Sequence, residues 1–90
     1  MTNEENPELL QFPCQFPIKA MGRHDDQFAA LVTAIVSKHT GPLKEHQVHV
    51  NGSKTGRFLS VTVTIEAQSK AQLDAIYMDL SGNKAVLMAL

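Results

Sequence analysis

The chain has 90 residues, of which 43% are hydrophobic and 19% are charged, and its formal net charge is −1. This length predicts one globular domain with a thin core, since a domain of this size buries only about 60% of its unfolded surface. The scattered cations argue against a general nucleic-acid binder, which needs a concentrated basic surface to neutralise phosphates.

The N-terminal segment and the single cysteine bear on the compartment. Residues 1–8 are polar and acidic, so we predict a flexible tail there and one domain over residues 9–90. Cys14 cannot form an intramolecular disulfide, and no apolar stretch reaches the roughly 20 residues that cross a bilayer. We therefore expect a cytoplasmic protein that does not insert into membranes.

The first predicted element is a strand from Phe16 to Met21. Pro17 is tolerated near a strand start but forbids a helix across it. Alternation then places Phe16, Ile18 and Ala20 on the core face of the strand, and Lys19 and Met21 on the other face.

A helix is predicted over Asp26–Thr40, after a turn at residues 22–24. Asp25 or Asp26 is expected to cap its first amides, and Gly41 followed by Pro42 should end it. The helical stripe that should face the sheet contains Phe28, Leu31, Val32, Ile35, Val36 and His39.

Two further strands are predicted at Gln47–Asn51 and Phe58–Ala67. Both alternate apolar and polar residues, and the second alternates over ten positions. The glycine-bearing segment 52–57 is expected to join them as a hairpin, although it could instead remain mobile.

A second helix should begin at Ser69, which forms the pattern of a capping box with Gln72. Gly82 is expected to end this helix in the left-handed conformation. The apolar run Ala85–Leu90 is then predicted to form the last strand.

The predicted order is strand, helix, strand, strand, helix, strand. This order is typical of an α+β ferredoxin-like split βαβ sandwich, in which two helices cover one face of a four-stranded antiparallel-type sheet. The first and third strands should lie at the centre of the sheet, and its other face should remain uncovered.

The runs LLQFPCQFPIKAMG, DDQFAALVTAIVSKH, GSKTGRFLSVTVTIEA and VLMAL resemble the YbeD-like family of small bacterial cytoplasmic proteins. The resemblance implies a ferredoxin-like fold similar to the regulatory ACT domains, and a family without an established activity. It also suggests a link to lipoate metabolism.

ACT domains hold a small effector at the turn between the first strand and the first helix. The resemblance therefore implies a ligand site at Met21, Gly22, Arg23, His24 and Asp25, where Arg23 would clamp a carboxylate. The turn lacks the Asp-Arg-Pro-Gly pattern of that site. In the alternative interpretation Gly22 makes the turn, Asp25 caps the helix and Arg23 is solvated.

The uncovered sheet face is the second candidate site. Its hydroxyl and apolar side chains would suit a protein partner, whereas a solvated face is the alternative. The residues expected there are Lys19, His49, Ser60, Thr62, Thr64 and Leu87, with Met21 beside them and Phe58 near one end.

Catalytic, metal and RNA sites are not expected. The histidines lack the spacing of metal ligands, and Cys14 has no evident base. Arg23 and Asn51 could serve as in acylphosphatases, but the glycine-rich turn of that site is missing. An RNA-binding sheet needs more aromatic residues on its open face.

We therefore expect a non-enzymatic, ACT-like regulatory or adaptor domain that acts by self-association or by docking to another protein, without a cofactor. The alternative is a sensor that binds an amino acid or a lipoate-related metabolite at the first strand–helix turn. A third hypothesis is an enzyme of acylphosphatase type.

Overall fold

Four strands and two helices follow one another in the structure, a computed structural model that describes residues 10–90. They are β1 (Cys14–Arg23), α1 (Phe28–Thr40), β2 (Val48–Gly52), β3 (Phe58–Ala67), α2 (Lys70–Ser81) and β4 (Met88–Ala89). The predicted flexible tail lies outside the described residues. No helix in the described part of the chain is long and apolar enough to cross a membrane.

The strands form one antiparallel sheet in the order β2-β3-β1-β4. The first and third strands are therefore the central pair, as predicted. Both helices pack against the same face, because their buried residues and those of β1 and β3 form one core cluster. The predicted α+β ferredoxin-like fold is confirmed.

The core lies between the helices and the two central strands. β1 and β3 pair over ten residues, and alternate residues of each strand point toward the helices. Each Val or Ile buried there contributes about 1.5–3 kcal/mol relative to an exposed position. The fully buried side chains include Ile18, Val61, Val63 and Ile65 from the sheet, and Val32, Val36, Ile76 and Leu80 from the helices.

β1 begins at Cys14, two residues earlier than predicted, and Pro17 is its fourth residue. Pro17 lies opposite Thr64 of β3, whose carbonyl oxygen accepts a bond from Gln47 on the β2 side. The pair Pro17–Thr64 therefore exchanges no backbone bonds, and the ring nitrogen of Pro17 faces the β4 side. Backbone pairing on this side reaches Lys19, which exchanges bonds with Leu90, and does not extend to Pro17, so no ladder bond is lost.

The start of α1 also differs from the prediction. The residue that precedes the helix is Gln27, and neither Asp25 nor Asp26 occupies that position. Asp25 instead accepts the backbone amide of Gln27 at its Oδ1 atom, 2.7 Å away, and the backbone amide of Phe28 at its carbonyl oxygen. The carboxylate thus stabilises a turn that leads into the helix.

Half of the predicted capping box of α2 is present: Ser69 accepts the amide of Gln72 at its hydroxyl oxygen, whereas the side chain of Gln72 accepts the amide of Gln68 and not that of Ser69. The prediction for Gly82 is wrong, since its φ angle is −79°. Its amide donates to the carbonyl oxygen of Met78, and the next amide, that of Asn83, donates to Leu80 three residues back, so the helix ends by tightening its last turn.

Candidate functional site

A pocket of about 370 Å³ lies beside the start of α1, between the end of β1 and the segment that leads into β4. We call it the strand–helix pocket. Its volume falls within the range of about 300–1,000 Å³ that is typical of small-molecule sites. The residues that line it are Arg23, Asp25, Gln27, Phe28, Leu31, Lys84, Ala85 and Leu87.

The strand–helix pocket combines apolar walls with two cations. Phe28 is buried, Leu31 is half-buried and Leu87 is 54% exposed, so the apolar lining of the pocket runs from the core to the protein surface. Neither Arg23 nor Lys84 forms an ion pair with another residue in the range 10–90. The pocket can therefore receive a molecule that has an apolar body and an anionic group.

Asp25 reduces the positive charge of this pocket only in part. Its Oδ1 atom already accepts a bond from the Gln27 amide, so the carboxylate is held at the turn. Two cations and one carboxylate leave the lining with a net positive charge. This net charge favours an anionic group over a cationic one.

The structure divides the five predicted ligand residues between different environments. Asp25 lines the strand–helix pocket from the turn, and Arg23 lines it from the last position of β1, where it pairs with Phe58. Met21 does not line this pocket and pairs with Met88 on the opposite sheet face. Gly22 belongs to β1 and is not in a turn. A Cβ atom there would lie 2.5 Å from the carbonyl oxygen of Ala85 and 2.5 Å from the Phe28 ring, so Gly22 permits core packing.

His24 connects two turns. Its Nδ1 atom lies 2.9 Å from the carbonyl oxygen of Gly56, and its backbone amide donates to the carbonyl oxygen of Arg57 at 2.8 Å. Because a carbonyl oxygen can only accept, Nδ1 carries the proton. The β1–α1 turn is thus attached to the β2–β3 hairpin.

Five of the six residues predicted for the uncovered sheet face share that face. Thr62 of β3 lies between Lys19 of β1 and His49 of β2, and Ser60 and Thr64 lie two positions to either side of it. Exposed apolar residues of the same face are Phe58 at 38%, Met88 at 51% and Leu90 at 60%. We call this surface the open face.

Leu87 does not lie on the open face, so that prediction is wrong. The predicted strand Ala85–Leu90 is reduced to Met88–Ala89, with Met88 opposite Met21. Since paired residues share a face, Met88 belongs to the open face and Leu87 faces the helical side. A one-residue shift in register therefore moves Leu87 to the strand–helix pocket.

A hollow of about 200 Å³ lies on the open face where β1 meets the hairpin. We call it the sheet hollow. The Oγ atom of Ser60 at this position is shielded from solvent and has no hydrogen-bond partner. Such an atom costs about 1–3 kcal/mol in stability. The residues that line the hollow are Lys19, Met21, Asn51, Gly52, Ser53, Phe58, Leu59 and Ser60.

A charged cluster joins the two helices away from both cavities. The Oδ2 atom of Asp79 lies 3.0 Å from Nζ of Lys38 and 3.0 Å from Nε2 of His39. The bond to His39 and then the bond to Lys38 lower the pKa of the Asp79 carboxyl. In α2 burial raises the pKa of Tyr77, whose hydroxyl donates to the carbonyl oxygen of Leu90. The Asp79 cluster thus joins α1 to α2, and the Tyr77 bond joins α2 to Leu90 beyond β4.

The other candidate chemistries are not assembled. Among residues 10–90 no three His, Cys, Asp or Glu side chains lie close enough to hold a metal ion. Cys14 is a half-buried free thiol at the start of β1. Arg23 lines the strand–helix pocket and Asn51 lines the sheet hollow, so the structure does not place them in one phosphate site.

Sequence reasoning missed Lys84, Gln27 and Ala85 as parts of the strand–helix pocket. Lys84 lies in a segment without periodicity, so no pattern marks it. Leu31 carried a weak signal, because it lies at the margin of the helical stripe and is less buried than Phe28 or Val32.

Comparison with known proteins shows the family. A family described as "Protein of unknown function (DUF493)" matches residues 7–90. A "UPF0250 protein" of Chromobacterium violaceum is 43% identical over 88 residues, which cover 98% of this chain and 99% of the relative. "UPF0250 protein NE1487" of Nitrosomonas europaea is 38% identical over 90 residues and is matched over its whole length.

A solved structure shares the fold. The solution structure of protein HP0495 from H. pylori matches with a TM-score of 0.74, at 19% identity, over 100% of this chain and 94% of that one. At this identity the likeness concerns the fold alone. The predicted resemblance is confirmed: the chain belongs to the DUF493 family of proteins of unknown function, whose relatives carry the name UPF0250.

Proposed function

We propose that the protein is a non-catalytic regulatory domain whose strand–helix pocket binds a small molecule with an apolar body and a carboxylate. The observation that supports this proposal is the combination of apolar walls with the cations Arg23 and Lys84 in one cavity. Phe28 and Leu31 would contact the apolar body. The guanidinium and ammonium groups would bind the carboxylate by charge-assisted hydrogen bonds.

Two ligand classes meet this description. One is an amino acid with an apolar side chain, whose ammonium group would pair with Asp25. The other is an acyl carboxylate such as octanoate or lipoate, which has no ammonium group and leaves Asp25 bonded only to Gln27. The two classes differ in their need for Asp25, so an Asp25→Asn variant separates them.

Thermal unfolding in the presence of each carboxylate and of its matched amide tests the proposal. The pairs are leucine and leucinamide, octanoate and octanamide, and lipoate and lipoamide. At about ten times its Kd a ligand adds about 1.4 kcal/mol of stability, which raises the Tm of a domain of this size by roughly 6–11 °C. We expect one carboxylate to give this rise and its amide to give none.

Variants identify the pocket as the site of such an effect. Lys84→Gln should weaken binding, whereas Lys44→Gln removes another exposed lysine that does not line the pocket. An unchanged Tm with every carboxylate would contradict the proposal. An equal rise in the Lys84→Gln protein and in the unsubstituted one would place the ligand elsewhere.

The open face favours a second candidate function, which is association with another protein. Its supporting observation is the exposed apolar surface of Phe58, Met88 and Leu90 beside a row of hydroxyl side chains. The strand lengths give this face a planar area of roughly 400 Å², at about 3.3 Å per residue and about 4.8 Å between strands. A stable globular interface covers about 800 Å² on each partner, so a short partner segment fits the face better than a second copy does.

Sedimentation velocity at micromolar concentration tests this choice of partner. We expect a monomer. A dimer that dissociates on Met88→Asp and persists on Leu87→Asp would show instead that the open face joins two copies, since Leu87 lies on the helical side.

A further inference from the structure

We infer that the sheet hollow is a subsite for an acidic side chain on an extended segment of another protein. This inference rests on the second candidate function, the use of the open face for protein association. It adds the chemistry of the group that the hollow accepts.

The polar side chains of the hollow favour an acceptor. Lys19 presents an ammonium group and Asn51 an amide, and neither side chain makes a hydrogen bond or ion pair within residues 10–90. The hydroxyl of Ser60 lacks an acceptor, and a hydroxyl can donate as well as accept. A carboxylate offers two oxygens and a negative charge, so it satisfies all three groups together.

The walls of the hollow suit a peptide chain that carries apolar neighbours. Met21 and Phe58 are on the open face and lie on either side of Ser60, one across the strand pair and one two positions along β3. A segment with an apolar residue beside its acidic residue would contact these walls.

Charges on the open face also favour an acidic partner. Lys19 and His49 flank Thr62 at the centre of the face, whereas Glu66 lies opposite Gln15 at the far end of β3. No Asp or Glu side chain therefore lies opposite Lys19 on the neighbouring strands. Replacement of the acidic side chain by its amide would remove the charge and leave the shape unchanged.

Nuclear magnetic resonance on the full chain labelled with ¹⁵N tests the inference. The probe is the peptide acetyl-Phe-Glu-Phe-amide, and the control is acetyl-Phe-Gln-Phe-amide. We expect the Glu peptide to shift the amide signals of Lys19, Asn51 and Ser60, with a Kd at least about fivefold lower than that of the Gln peptide. An octamer of thymidylate serves as the nucleic-acid probe.

A pair of serine and threonine variants tests the role of the hydroxyl. Ser60→Ala should weaken the Glu peptide about fivefold while the Tm stays equal or rises, because the unpaired hydroxyl is removed. Thr64→Ala changes a hydroxyl of the same strand and face outside the hollow, and should leave the peptide affinity unchanged.

The outcomes separate the subsite from the surface. Equal binding of both peptides on the open face would overturn the carboxylate subsite and leave association through this face in place. Shifts confined to Arg23, Gln27 and Lys84 would overturn both, since the peptide would then occupy the strand–helix pocket. No shift with either peptide would also overturn both, and tighter binding of the oligonucleotide would assign the face to nucleic acid.

Discussion

His24 donates a hydrogen bond from its Nδ1 atom to the carbonyl oxygen of Gly56, which has a φ angle of +77°, over 2.9 Å. The bond joins the turn that lines the strand–helix pocket to the hairpin that borders the sheet hollow. The two candidate sites lie on opposite sides of the sheet, yet one side chain contacts the loops that belong to both.

Replacement of His24 by alanine removes this bond and leaves the backbone bond from His24 to Arg57 in place. The free energy of unfolding should fall by about 0.5–1 kcal/mol, the lower part of the range for a neutral hydrogen bond, because the pair is exposed. Urea unfolding measures the change. His46→Ala is the control, since His46 is an exposed residue of the turn before β2; equal losses in the two variants would contradict a special role for His24.

Replacement of Gly22 by alanine should be costly. The added Cβ atom would meet the Ala85 carbonyl oxygen and the Phe28 ring, both 2.5 Å away, so the core must shift. Overpacking of this kind costs about 1–3 kcal/mol. Gly52→Ala is the matched control, because its nearest neighbour would lie 4.0 Å away and a change within about 0.5 kcal/mol is expected. Comparable urea midpoints for the two variants would show that the close approach at Gly22 is wrong.

Asp79 should contribute to the loss of stability in acid. Bonds from His39 and Lys38 place the pKa of its carboxyl in the folded protein below the value in the unfolded chain. A lowered folded pKa gives stability that is present above the unfolded pKa, about 3.9, and is lost as the pH falls through the folded value.

An Asp79→Asn variant should therefore be less stable than the unsubstituted protein at neutral pH and should lose less stability on acidification below about pH 4. Urea midpoints at neutral and acidic pH measure both effects. Asp74→Asn is the control, because the ion pair of Asp74 with Lys70 lies within one helix and does not join α1 to α2. A parallel decline of the Asp79→Asn and unsubstituted proteins with falling pH would contradict the assignment.

The alternating and helical periods of the chain were sufficient to predict the fold. The residues that the stripes placed in the core, such as Ile18, Val32 and Ile65, are buried, and the central position of β3 follows from its ten alternating positions. The period of apolar residues identified the buried face of each of these elements, because each element contacts the core with one face only.

Errors arose at element ends, where periodicity carries no information. The run AVLMAL is apolar throughout, so it could not show whether Leu87 or Met88 faces the helices; the backbone bonds of Met21 and Lys19 set that register. Pro17 indicated a strand start, but the strand extends past it, because the short strand β4 does not pair with Pro17 and requires no backbone amide there. Lys84 entered the pocket through tertiary packing alone.

The central claim is that the strand–helix pocket binds a small amphipathic carboxylate. A titration of the ¹⁵N-labelled protein with leucine, octanoate and lipoate tests it most directly. We predict that one of them saturates the shifts of the Gln27, Leu31 and Lys84 amides at millimolar concentration or below, and that Lys84→Glu weakens it at least about tenfold. Unchanged signals at these three amides with all three carboxylates would contradict the claim.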